Sequence, residues 1–403
     1  MNRLIRFNSQ SKRQLGLLPI LVAVLGWSIT THAAPYRPTD PNQVLEQLPR
    51  GFPVMQRVTS ADPAAMRDLD AELEQIQSLL NYAYLQGDPR ALGQAIAMLQ
   101  RQPTSSSDVP SLMLRAQAAQ ANHQFAEATR LLNTVLQQQP SYSDAHLQLA
   151  SIELIAGQFV TARQHCEQIR GLDALALRLI CLAQVDAMTG KLQATANTLK
   201  SITPLLSSLN PSQQLWVQLI QADVALRLND KVWNAQIFSQ LPTDNVPALM
   251  ARADWLSAQR QWQQIHDLLK NHIEHEGLFI RWLNSKYHLK HADTAVHQKL
   301  LTARIQQWRQ RNDQAHHREQ ASYALLAESA AESLRLAREN WKTQRETADV
   351  VIYASAALRS QSQTDIQALL DWAGRTGFEY PVVIQRLKAA SRASTARVQE
   401  RTQ

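Results

Sequence analysis

From Ala64 onward, apolar residues recur three and four positions apart with polar residues between them. That spacing lays one apolar stripe along an α-helix. No segment alternates apolar and polar residues long enough to predict a strand. The breaks between helical stretches are equally regular. A first helix carries Ile76, Leu79, Leu80 and Tyr82, is broken at Gly87-Asp88-Pro89, and is followed by a second with Ala91 and Ala95 before Pro103. Helices are then predicted around Ser111–Ala119 and Phe125–Leu132, closing on Pro140, and on either side of the Gly157 turn. Leu175–Thr189, the Gly190 turn and Leu192–Ile202 form the next pair. Leu215–Leu228, Ala248–Ala258, Trp262–Lys270, Leu300–Arg311, Ala321–Leu326, Ala330–Lys342, Asp349–Leu358 and Thr364–Arg375 continue the pattern, for eight or nine hairpins in all.

Within this pattern a fixed period stands out. Ala150 follows Ala116, Ala162 follows Ala128 and Cys166 follows Leu132, each after 34 residues. A repeat near that length is the mark of a helix–turn–helix array whose units bury their stripes only against their neighbours. Small residues in matching slots let helix axes approach closely; a Leu there would overpack the contact at a cost of roughly 1–3 kcal/mol. In its alanine slots, in Tyr82, Ala91 and Pro103 of the first hairpin, and in Pro140, the chain resembles the tetratricopeptide repeat (TPR) family. Leu112 and His146 stand in the family's Trp slot, Ala119 and Glu153 in its Tyr slot, so the repeats are degenerate. The resemblance implies an all-α fold, a right-handed α-solenoid of antiparallel helix pairs.

Composition sharpens this. Glycine is scarce, at 11 of 403 residues, and Ala, Leu, Gln and Arg dominate, as a helical chain requires. The net charge of +7 belongs to the ends. Residues 1–33 carry Arg3, Arg6, Lys12 and Arg13 without an acid, and Val382–Gln403 carries five basic residues against Glu400, which leaves the body near neutral. A nucleic-acid binder needs a basic stripe on the folded body itself, so nucleic acid is excluded as a partner class. Residues 1–33 are read as a Sec-type signal peptide: a basic start, the apolar run Leu15–Ile29, and small residues with cleavage expected after Ala33. The apolar run is shorter than a bilayer span and is interrupted by Pro19. The expected location is periplasmic, with no membrane span after cleavage. The remaining layout is a proline-rich extended lead-in over 34–63, TPR-like repeats over 64–205, degenerate Trp- and His-rich helical repeats over 206–387, and a basic, disordered tail over 388–403.

Cys166 and Cys181 lie on successive helices that an antiparallel connection would bring to one height. They form either a disulfide, as an oxidising compartment permits, or two buried thiols filling core slots. Eight of the twelve histidines fall in 266–317, among them His272 with His275 and His288 with His291 at i, i+3 spacing. On one helix face such pairs could hold zinc, copper or nickel. With no cysteine nearby and no His-Glu-x-x-His, a polar helix face explains them better, and no metal or cofactor is expected. No Gly-x-Ser-x-Gly, phosphate loop or dinucleotide fingerprint occurs, so no enzymatic activity is expected.

The TPR resemblance implies a concave groove lined by the first helix of each hairpin. Carried over slot by slot, it presents Ile76, Leu80 and Tyr84; Met113, Gln117 and Gln120; Leu147, Ser151 and Leu154; and Ile180, Gln184 and Met188. Interleaved apolar and amide side chains suit a peptide held by its backbone and by shallow pockets. The lysine/asparagine clamp that some family members use for a C-terminal carboxylate is missing, because Met113 and Gln117 occupy two of its slots. The expected function is a non-enzymatic scaffold or adaptor for a protein or peptide partner. The alternatives are a metal-binding envelope protein using 266–317 and a purely structural assembly component.

Overall fold

Helix starts follow the capping chemistry of the sequence. Asp88, Asp108, Asn210 and Asn245 each precede a proline in the first turn, and each side chain accepts a backbone N–H of that turn. The carboxylate or amide satisfies an orphan donor, and proline removes another. The computed structural model describes residues 40, 47, 51–53, 69–102, 108–171, 174–311 and 316–402. The expected signal peptide, nearly all of the lead-in, Pro103 and the 172–173 connection lie outside the described residues.

Among the described residues the architecture is all-α. Nine hairpins follow one another: α1 (Leu69–Gln86) with α2 (Pro89–Arg101), α3 (Val109–Ala121) with α4 (Phe125–Gln138), α5 (Ser143–Ala156) with α6 (Phe159–Gln168), α7 (Leu175–Met188) with α8 (Leu192–Ser201) and α9 (Pro211–Leu228) with α10 (Lys231–Gln240). Then come α11 (Val246–Ala258) with α12 (Trp262–Leu269), α13 (Glu276–Leu289) with α14 (Thr294–Gln310), α15 (His317–Ala327) with α16 (Ala330–Trp341) and α17 (Thr347–Arg359) with α18 (Gln363–Thr376). A last helix, α19 (Pro381–Thr402), closes the array, and a 3-10 turn at Thr203–Ser208 precedes α9. The tail expected to be disordered is therefore helical. Its Ala, Arg and Gln residues are strong helix formers, and the buried Leu387 anchors the helix to the body.

The alanine slots pack as the repeat requires: Ala91, Ala116, Ala128, Ala150 and Ala162 are fully buried between helix axes. Eight of the nine hairpin turns place one residue in the left-handed region. Glycine does so at 87, 157 and 190, but His123, Asn229, Arg260, Lys290 and Gln361 do it elsewhere. The tryptophans of the back half are core rather than surface. Trp233, Trp282, Trp308 and Trp372 are buried, while Trp216, Trp255, Trp262 and Trp341 pack against the clusters around them.

Odd-numbered helices touch in unbroken succession from α1 to α19, and no two even-numbered helices pack as closely. The side on which helices touch is the inside of the curve, so the odd helices form the concave wall. The curve is tight: α1 reaches α11, and α9 reaches α19, five hairpins further on. Turns of the first hairpins then stack on links of the later ones. Gln86 Nε2 donates to Asp244 O at 3.0 Å, Arg345 N to Ile155 O at 2.8 Å, and Leu192 N to Glu379 Oε2 at 2.9 Å. The backbones also approach closely where the α7–α8 turn meets the α18–α19 link. A Cβ on Gly190 (φ +81°) would sit 3.1 Å from Gly377 O, and one on Gly377 (φ +77°) would sit 3.2 Å from Gly190 N.

Arg227 fastens this seam. Its side chain is fully buried, with Nε 2.9 Å and Nη2 2.8 Å from Glu379 O, Nη2 2.6 Å from Ala187 O, and Nη1 3.0 Å from Asp223 Oδ2. Its Cζ lies 4.6 Å from the centroid of the Phe378 ring.

Candidate functional site: the inner groove

Two chambers open on the concave wall. The first, of about 730 Å³, is walled by α1, α3, α5 and α9. The second, of about 310 Å³, lies deeper, between α5, α7 and α9 on one side and α15 and α17 on the other. Trp216 borders both.

The first chamber is rich in amides. Gln77 Nε2 donates to Asn81 Oδ1 at 3.1 Å and to Gln117 Oε1 at 3.2 Å, tying α1 to α3. Gln120 Nε2 reaches Ser151 Oγ at 3.5 Å, at the limit of a hydrogen bond, from α3 to α5. The buried Oε1 of Gln148 accepts no hydrogen bond from any described residue. Aromatic rings come from Tyr84, Tyr142 and Trp216, and the charged side chains on the lining are Glu74 and Asp144. Burial, then the Asp144 carboxylate, push the Tyr142 phenol pKa up. Tyr84 keeps 53% of its surface exposed, yet it stands in a concave wall where little bulk water reaches it. This desolvation and the Glu346 carboxylate raise its phenol pKa.

In the second chamber Arg318 of α15 is bound by acids of the α16–α17 link and α17. It donates through Nε to Asp349 Oδ1 at 2.6 Å and through Nη2 to Gln344 Oε1 at 2.9 Å, and it pairs with Glu346. Burial opposes its charge, but Asp349, Glu346 and Glu319 outweigh it and hold its pKa well above the ordinary value.

The expected groove residues separate into three sets. Tyr84, Met113, Gln117, Gln120 and Leu147 line the first chamber. Ser151, Leu154, Gln184 and Met188 line the second. Ile76, Leu80 and Ile180 do not face the groove: they are buried at 0%, 3% and 0% exposure in cores that join hairpins to one another. In α1 the apolar stripe packs against α2 and α3, so the concave face is the polar one, with Leu73, Gln77 and Asn81 beside Tyr84. Trp216 and the amides of α1 had no marker in the repeat pattern.

Cys166 and Cys181 are joined by a disulfide linking α6 to α7, with a Cα–Cα distance of 5.6 Å. The histidine pairs do not lie on single helix faces. His272 is in a turn and His275 is the N-cap of α13, while Lys290 ends α13 in the left-handed conformation before His291. His288 instead stacks on Trp262 with ring centroids 3.9 Å apart, and His291 stacks on His266 at 4.7 Å. Among the described residues, no three His, Cys, Asp or Glu side chains come together as a metal site. Five of the segment's histidines, His266, His288, His291, His297 and His316, take part in aromatic packing. A third hollow, of about 840 Å³, lies in the seam and gathers His123, His275 and His316 from links far apart in sequence. Burial lowers the pKa of His123 and of His275.

Helix pairing and curvature define the class: an α-solenoid of antiparallel hairpins coiled back onto itself. No protein-family profile and no curated protein matches the chain. Among solved structures it is similar to the TPR domain of P58(IPK), at 15% identity over 82% of this chain and 99% of that one, with a TM-score of 0.24. At so loose a superposition the class rests on the chain's own helix pairs. Among the described residues no helix is long and apolar enough to cross a membrane.

Proposed function

We propose that the chain is a non-enzymatic periplasmic scaffold or adaptor that holds a protein or peptide partner along the inner groove. The observation that carries this is the first chamber. A concave wall of about 730 Å³ presents amide side chains at helical spacing with aromatic rings among them. Amides donate and accept at once, as a peptide backbone does, and rings supply shallow apolar pockets. The Cys166–Cys181 disulfide and the N-terminal basic–apolar–small pattern support an exported, oxidising location.

The test is a crosslinking pull-down from the envelope of the source cell with the mature protein as bait, beside a Tyr84→Ala, Leu147→Asp variant shown by circular dichroism to be folded. A stoichiometric partner lost with the variant supports groove binding. A partner retained in full by the variant would sink it.

A further inference from the structure

The first chamber carries acids without a balancing cation, and that charge selects an occupant. Glu74 and Asp144 are exposed on the first chamber's lining, and no Lys, Arg or His belongs to it. Three aromatic rings share the lining with these acids: Tyr84, Tyr142 and Trp216. A chain ending in a carboxylate would meet repulsion from Glu74 and Asp144 with no Lys, Arg or His on the lining to receive its charge. A segment bearing Lys or Arg meets carboxylates and ring faces together, an arrangement that attracts cations by charge and by the ring quadrupole. The remaining capacity is amide, in Gln77, Asn81, Gln117, Gln120 and Gln213, which suits the backbone of an extended strand.

Resting on the groove reading above, we infer that the first chamber takes an internal, extended protein segment in which Lys or Arg alternates with apolar residues, and that it rejects acidic segments and free C-termini. Glu74 and Asp144 set the charge preference, the rings of Tyr84, Tyr142 and Trp216 receive the cationic and apolar side chains, and the amides of the lining meet the backbone.

The experiment is selection from two random libraries of about ten residues, long enough to cross the chamber when extended. One library is embedded inside a carrier domain and the other ends the carrier with a free carboxylate. The immobilised full-length mature protein is the bait. The expected result is enrichment of internal segments rich in Lys and Arg. A selected peptide should bind about fivefold more weakly to a Glu74→Gln, Asp144→Asn variant at low salt, and the two proteins should converge as salt rises. Both positions are exposed, so the variant keeps its fold. Enrichment of acidic or C-terminal segments, or equal binding by the charge variant, overturns the inference while leaving the groove reading standing. Failure of any peptide to enrich, or enriched peptides that bind the Tyr84→Ala, Leu147→Asp variant unchanged, overturns both. Saturable binding of a neutral oligosaccharide lost on Trp216→Ala, with no peptide selected, also overturns both, because it assigns the rings and amides to sugar.

Discussion

Removing the Arg227 guanidinium tests whether the seam is held by this one side chain. Arg227→Ala deletes a charge whose five N–H donors face two backbone carbonyls, one carboxylate and a ring face. Glu379 O and Ala187 O lose these charge-assisted donors, while Asp223, about one-third exposed, can turn to water. A hydrogen bond to a charged group is worth about 1.5–3 kcal/mol, and breaking a buried pair by removing one partner costs about 3–5 kcal/mol. The bonds are shared and not additive, so we expect a loss of about 3–4 kcal/mol for Arg227→Ala. Arg227→Met keeps the apolar stem and is expected to lose somewhat less. Urea unfolding followed by tryptophan fluorescence gives the loss. Hydrogen exchange gives its place: protection should fall first around 373–384 and 187–192, the two sides of the seam. A variant within about 0.5 kcal/mol of the parent would refute the reasoning. So would lost protection confined to α9 itself.

The Cys166–Cys181 bond closes a loop of 15 residues and is expected to contribute about 3 kcal/mol; thermal melts with and without reductant measure it, and two reactive thiols in unfolded, unreduced protein would refute it. Gly377→Ala is expected to cost at least about 1–2 kcal/mol from its left-handed backbone alone, whereas Gly374→Ala, in open helix surface, is expected to be neutral or stabilising; equal melting shifts would contradict the close approach at Gly190. Stability is expected to fall at acid pH through His123 and His275. Their folded-state pKa values lie below the ordinary 6.5, so the unfolded chain binds more protons: the stability they contribute is complete above about pH 7.5 and is lost as pH falls from about 6.5 through the lowered values. Gln344 Nε2 donates to His123 Nδ1 at 3.3 Å, a bond that protonation removes. A His123→Gln, His275→Gln variant whose stability keeps the full pH slope between 7.5 and 5.5 would show that other groups are responsible.

The sequence made the front of the array legible because its slots are chemically distinctive. Alanine at 116, 128, 150 and 162, glycine at 157 and 190, and proline after Asp or Asn each have one physical reason to be there. Toward the C-terminus only Asn229 is a residue type that marks a left-handed turn; Arg260, Lys290 and Gln361 hold the others with no strong local reason to do so, and so the period fades while the hairpins persist. Groove positions were legible where apolar residues fall on the concave side, at Met113 and Leu147. In α1 the apolar residues Ile76 and Leu80 belong to the core instead, and the concave face is amide. The histidine spacing suggested shared helix faces, but the end of α13 lies between His288 and His291. Nothing local encodes the seam, because it arises from curvature accumulated over five hairpins.

That seam changes the order in which the chain can become stable. In an open array each unit needs only its neighbour, and structure can spread from any point. Here the turn at His123 waits for Gln344, 221 positions later, and Ala156 waits for Arg345, 189 positions later. Contacts so distant in sequence slow folding and bind early and late units into one cooperative event. A chain emerging from its N-terminus therefore carries its first four hairpins with their turns uncovered until the last hairpins arrive. Deleting α18 and α19 would not merely shorten the protein; it would expose Gly190 and Phe159 to water and leave the front half with an unfinished surface.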